Sequence, residues 1–309
     1  MRARGVAAAL VVFGAALAGG CGGSAHNAQP PTTSTAVTNS VASILARPGP
    51  NVTAVPGTED YSPGPIRFSF LLIDNQGAPV IRPAARVSVA TSKDAVPLVV
   101  AGASLEPIGV PGADVAAGDV TELYVSHFDV PSAGTYQLGI QTLGAKPVQA
   151  AFQIDVPEHP KAPAVGSKAI ASDTPTIAST HGNFRELTTR VPPDTTLLRY
   201  SIAGSIAAHK PFVVVFATPK FCTSRTCGPV VDVVDAASKQ LARSDVRFIH
   251  VEVYKNNNPG LGYNEWFKQW HLPTEPWTFL VGKDGRIKQR FEGSVSVGEL
   301  VVAVHRYLS

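Results

Sequence analysis

Apolar and polar positions follow two different rhythms along this chain, and each rhythm predicts a different architecture. Between residues 61 and 157 the rhythm is short. Residues 66–74 read as a strand, Asn75-Gln76-Gly77 supplies a turn, and further β-rich stretches cover 86–91, 120–128, 135–142 and 148–156. Turn residues separate them and no helical period competes, so several short strands within about a hundred residues predict an antiparallel β-sandwich. After residue 194 helix and strand alternate. A helix is expected over 201–209, stopped by Lys210-Pro211. Phe212-Val213-Val214-Val215-Phe216 is a continuous apolar run, the pattern of a strand buried on both faces. Val230, Val233, Val234, Ala237 and Leu241 fall on one helical face. Residues 246–253 read as a second buried strand and 263–271 as a short aromatic helix. Strands at 277–281 and 286–291 flank the turn Lys283-Asp284-Gly285, and a helix over 296–308 closes the chain. The order is β-α-β, then a hairpin and a helix, which predicts an α/β region over 194–309.

Three segments lack either rhythm. Met1 to Gly5 is a short basic start and Val6 to Leu17 an apolar run, too short to span a bilayer comfortably, so 1–20 is expected to be a cleaved export signal. Residues 21–60, rich in Ser, Thr, Pro, Asn and Gly, read as a flexible tether, and 158–193 as a linker. As a flexible chain the tether would span roughly 35 Å. A length of 309 residues agrees with two domains, and 44% hydrophobic with 16% charged residues argues against a charged disordered chain. The formal charge is +3, and removing Arg2 and Arg4 with the signal leaves +1. Without a basic run there is no footprint for nucleic acid, so that partner class is set aside.

Leu17-Ala18-Gly19-Gly20-Cys21 resembles the lipobox of bacterial lipoproteins. The resemblance implies cleavage before Cys21, lipid on its sulfur, and a place on the extracytoplasmic face of the bacterial cell membrane. The match departs from the pattern at Ala18, where a large aliphatic residue is usual, and the alternative is an ordinary secretory signal. Of three cysteines, two then remain, five positions apart at Cys222 and Cys227. One close pair does not make a disulfide-stapled scaffold, so the chemistry is expected at that pair. In the first region, Pro131-Ser132-Ala133-Gly134-Thr135-Tyr136 resembles the turn-then-Tyr corner of immunoglobulin-like domains. It implies that the Tyr hydroxyl closes a corner, and no catalytic grouping accompanies it.

Residues 195–309 resemble the thioredoxin superfamily. The resemblance rests on the element order, on Phe216-Ala217-Thr218-Pro219-Lys220-Phe221-Cys222 leading from the first buried strand to a cysteine, and on Glu275-Pro276-Trp277-Thr278-Phe279. Gly282 to Ile287 fits the family's hairpin. It implies a membrane-anchored thiol–disulfide oxidoreductase acting on protein thiols or disulfides, with no cofactor and no metal. Cys222 would be the nucleophile, Cys227 the resolving partner, and Pro276 a cis-proline facing the disulfide. The spacing departs from the family's Cys-x-x-Cys. Five residues of regular helix advance about 7.5 Å along the axis, whereas a disulfide needs Cα atoms within about 7 Å. Either Cys222 sits in a loop and the helix starts near Cys227, or the pair does not close. Gly228-Pro229 favours the first, since Pro suits the first helical position. Cys227 at a helix N-terminus would then have the lower thiol pKa, against the family assignment, and which sulfur attacks stays open. Lys220 and Arg225 favour thiolate, and Glu275 opposes it if it abuts the pair.

Other readings compete. A structural disulfide without turnover would leave a non-enzymatic binding protein. A peroxiredoxin-like peroxidase uses Pro-x-x-x-Thr-x-x-Cys. Pro219 and Thr223 have that separation, but Thr226 holds the Cys position and Cys227 comes one residue late. On a helix this slip turns the sulfur by about 100°. Thioredoxin-like copper chaperones pair two close cysteines with a distant His. That position falls near Thr274, with His271 three residues earlier, where a polar residue at a helix end is the plainer account. Trp266 and Trp270, at helical spacing, read as core rather than as a partner surface.

Overall fold

The computed structural model describes residues 39–112, 120–221 and 230–309. The protein consists mainly of antiparallel β-sheet with a few helices. A short helix α1 (Val41–Leu45) precedes seven strands: β1 (Thr53–Pro56), β2 (Gly64–Ile73), β3 (Ala84–Ala90), β4 (Val99–Pro107), β5 (Glu122–Val130), β6 (Gly134–Thr142) and β7 (Gln149–Val156). They form one ladder in the order β1-β2-β5-β4-β3-β6-β7, each neighbouring pair antiparallel. A parallel bridge from Asn51 to Gln149 ties the segment before β1 to β7, with the Val52 N–H donating to the Gln149 carbonyl at 2.7 Å. The two edges thus meet, and the ladder encloses its own core of Phe68, Phe70, Tyr124, Leu138 and Ile140. This corrects the expected sandwich: one continuous ladder replaces two facing sheets, because β4 joins β3 to β5. The Tyr136 hydroxyl donates to the Ser132 carbonyl at 2.8 Å, closing the corner foreseen there.

The expected tether also needs correction. From Ser40 onward it is part of the packed body. The Ser40 hydroxyl caps α1 by accepting from the Ser43 N–H, and Val41 and Ile44 are buried. Likewise 158–193 is packed. Ala162 lies in a core, the Ser172 hydroxyl meets the side chains of Gln269 and Trp270, and α2 (Phe184–Leu187) buries Leu187. Its Ser- and Thr-rich composition serves specific hydrogen bonds.

The rest follows the expected order: α3 (Ile202–Ala207), β8 (Phe212–Phe216), α4 (Val230–Gln240), β9 (Arg247–Val251), α5 (Glu265–Gln269), β10 (Trp277–Val281), β11 (Ile287–Glu292) and α6 (Val297–Leu308). Four strands form a sheet in the order β11-β10-β8-β9, with β8 and β9 parallel and the other pairs antiparallel. The apolar run of β8 is explained by burial on both faces. Phe212, Val214 and Phe216 enter a core with Trp270, Phe267 and Phe279, while Val213 and Val215 face α4 and α6. That second core also takes Leu71, Leu123 and Val125 from the seven-stranded ladder. The described residues group by their contacts into one compact unit. No helix among the described residues is long and apolar enough to cross a membrane.

Candidate functional site

Cys222, Arg225 and Cys227 lie outside the described residues, as do Thr223, Thr226 and the lipobox Cys21. The structure describes the frame on either side of the cysteine segment. Strand register sets that frame: Phe216, the last residue of β8, pairs with Val251 of β9 and with Trp277 of β10. The chain leaving β8, the chain leaving β9 and the chain approaching β10 therefore meet at one end of the sheet. Ligand sites in open sheets favour the crevice beyond the carboxyl ends of parallel strands.

Four residues before Cys222, the buried Thr218 donates its N–H to Glu275 Oε2 at 2.8 Å. Glu275 is followed by Pro276 through a cis peptide bond, as the sequence resemblance implied. Burial pushes the Glu275 carboxyl up to about 7. The Thr218 N–H and the Tyr254 hydroxyl pull the other way, and nearby Glu252 adds to the rise. Burial and the Glu275 charge push the Tyr254 hydroxyl up to about 12. Lys220 is exposed, its Nζ 5.4 Å from the centre of the Phe221 ring, and Phe221 meets Tyr254 edge to face with centroids 6.4 Å apart.

Supporting residues that the sequence reading missed sit behind this frame. The His250 Nε2 lies 3.0 Å from the Ala217 carbonyl, which can only accept, so Nε2 carries the hydrogen. Buried Glu252 Oε1 accepts from the N–H and the hydroxyl of Thr189, at 2.5 and 2.8 Å. The Thr189 hydroxyl in turn accepts from the Lys220 N–H at 3.1 Å. Arg190 reaches Asp232 at 2.7 Å and Asp235 at 3.3 Å on α4, clamping the chain before β8 to the helix that follows the cysteine segment. The available signal was position: His250, Glu252 and Tyr254 are polar groups at the carboxyl end of a strand predicted to be buried.

The structure thus brings Lys220, Glu275 and Pro276 to one sheet end. It does not bring His271 and Thr274 into that hydrogen-bonded frame. His271 is exposed with a left-handed backbone (φ 50°) just past α5, its N–H donating to the Lys268 carbonyl, which is the geometry of a helix end. The Thr274 hydroxyl bonds Glu292 instead. Trp266 and Trp270 serve packing: Trp270 is fully buried and Trp266 packs partly buried against the same core. Among the described residues no group of three His, Cys, Asp or Glu is placed to hold a metal ion. No model of a known protein family matches the chain, and no curated protein matches it.

Proposed function

We propose that the chain is an exported, lipid-anchored thiol–disulfide oxidoreductase working through Cys222 and Cys227, with residues 194–309 as a thioredoxin-like α/β region. The observation that carries this reading is the bond from Thr218 N–H to Glu275 at 2.8 Å, which sets Pro276 beside the root of the segment bearing both cysteines. The parallel β8–β9 pair with α4 between them in the chain, the β10–β11 hairpin and the closing α6 support the fold. In the reaction, one cysteine thiolate attacks a substrate disulfide. A mixed disulfide forms as the substrate S–S bond breaks, and the departing sulfur takes a proton from water. The second cysteine, losing its proton, attacks the mixed disulfide and releases the other substrate sulfur as a thiol. Two electrons pass to the substrate and the pair becomes a disulfide; run in reverse, the same steps oxidise a dithiol. Turnover requires a second thiol or disulfide protein to reset the pair. Lipid on Cys21 would hold this chemistry at the outer face of the membrane.

The test is thiol trapping with intact-mass detection on the chain carrying Cys21→Ser, equilibrated across glutathione redox buffers. The expected result is a reversible loss of two hydrogens that either Cys222→Ser or Cys227→Ser abolishes. Two thiols that stay free in fully oxidised buffer would sink the reading.

A further inference from the structure

We propose that the open groove beside the cysteine segment binds acidic peptide, so that the disulfides exchanged are those flanked by Asp or Glu. This rests on the thiol-exchange reading. The groove encloses about 620 Å³ and ends at Phe221, the residue before Cys222. Its walls come from four separate places in the chain: Arg185 with Thr188 to Val191, Pro219 to Phe221, Asp232 of α4, and Asn257.

Charge selects the occupant. Arg185, Arg190 and Lys220 line the groove against a single carboxylate, Asp232. Arg190 is committed to Asp232 and Asp235. Arg185 and Lys220 are exposed and have no carboxylate partner among the described residues, so two cations face the groove uncompensated. Apolar surface accompanies them. Val191, on the lip, is 90% exposed, more than any other large apolar side chain among the described residues. Pro219 and partly buried Phe221 continue that surface toward the cysteine segment.

The walls are fixed before any ligand arrives. The Asn257 side-chain amide donates to the Arg185 carbonyl at 2.8 Å, from a turn in which Asn256 and Asn257 both hold left-handed backbone (φ 51° and 54°). Thr189 and Lys220 are joined by a hydrogen bond and anchored on buried Glu252. A groove held in place in this way loses little entropy on binding. Two free cations and an apolar lip suit a short peptide segment carrying one or two carboxylates and an apolar side chain. A long polyanion would want a basic surface of greater extent, and the chain as a whole is close to neutral.

The test uses the full chain and three dye-labelled peptides with the same S-methylated cysteine, flanked by Asp and Glu, by Ser, or by Lys. Anisotropy at low salt should show the acidic peptide binding about tenfold more tightly than the Lys peptide, with the gap closing as salt rises. The double variant Arg185→Glu/Lys220→Glu, checked for an unchanged circular dichroism spectrum, should reverse the order; Arg185→Gln/Lys220→Gln should level it. Equal affinity for all three peptides, or an acidic preference that survives both variants, overturns the proposal. A second arm compares exchange rates with acidic and basic peptide disulfides, whose ratio should follow the binding ratio. Acidic binding without exchange on any disulfide would remove the oxidoreductase reading and leave the groove as a peptide site. Exchange without charge preference would do the reverse.

Discussion

Glu275 shows how much one half-buried carboxyl can say about its surroundings. Its folded pKa, about 7, lies above its ordinary value of 4.5 because burial disfavours the charge. A raised folded pKa means that the stability contribution is fully present below the ordinary value and is lost as pH rises through the folded one. Glu275→Gln mimics the protonated form and can still accept from the Thr218 N–H. It should match the wild-type protein near pH 4.5 and exceed it above pH 8 by about 1–2 kcal/mol, a figure reduced from the full linkage value because water still reaches the group. Urea unfolding of both proteins at the two pH values checks this, and an equal difference at both would show that burial does not govern the carboxyl. The sequence marked Glu275, through its neighbour Pro276, but not the partners Tyr254 and Glu252. Nothing in their local spacing announces that the chain after β9 turns back on the chain after β8. Only the register of Phe216 with Val251 and Trp277 does so.

Elements were legible where burial was complete and where caps were written locally. The stretches Phe212–Phe216 and Trp277–Val281 matched their strands end to end, the first as a continuous apolar run, because a strand covered on both faces shows no alternation. The closing helix, expected over 296–308, is capped in the structure by the Ser296 hydroxyl, which accepts the Glu299 N–H at 2.9 Å. Ser296→Ala should therefore cost about 1 kcal/mol and lower the melting midpoint by about 2–4 °C. Differential scanning calorimetry would read it, and no shift would mean that packing alone sets the helix start. The strand at Val99–Pro107 was missed for the opposite reason: it buries only Ala103 and interrupts itself with Gly102, so it exists through its partners β3 and β5. Helix α1 was missed because five residues carry no period. It is set by packing, with Val41 and Ile44 lying close against Gly139, where a side chain would crowd both.

At the scale of the molecule, the seam between the seven-stranded ladder and the four-stranded sheet decides whether the halves are independent. The length suggested two domains, but charge and apolar packing both cross the seam. Arg67 on β2 forms a two-pronged pair with Glu299 on α6, at 2.6 and 2.8 Å, with side chains only 8% and 15% exposed. Arg290 on β11 pairs with Asp60 at 2.9 Å, and Glu292 accepts the N–H groups of Glu59 and Asp60. At Gly293, with φ 69°, the backbone comes so close to Gly57 that a Cβ would overlap its carbonyl oxygen. Cutting the chain before residue 194 would strip Arg290, Glu292 and Glu299 of these partners and uncover the core face that Leu71, Leu123 and Val125 share. An isolated 194–309 fragment is thus expected not to fold cooperatively, whereas the whole chain should melt in one transition. All three tryptophans lie in the four-stranded half, at 266, 270 and 277. Their fluorescence reports that half, while far-ultraviolet circular dichroism weights the larger sheet, and the two midpoints should coincide. Glu299→Gln should lower both midpoints together, because removing one partner of a buried pair leaves the Arg67 charge uncompensated, at about 3 kcal/mol. Separate midpoints, or a fragment with native tryptophan emission, would restore the picture of two independent domains and make the seam a contact rather than a shared core.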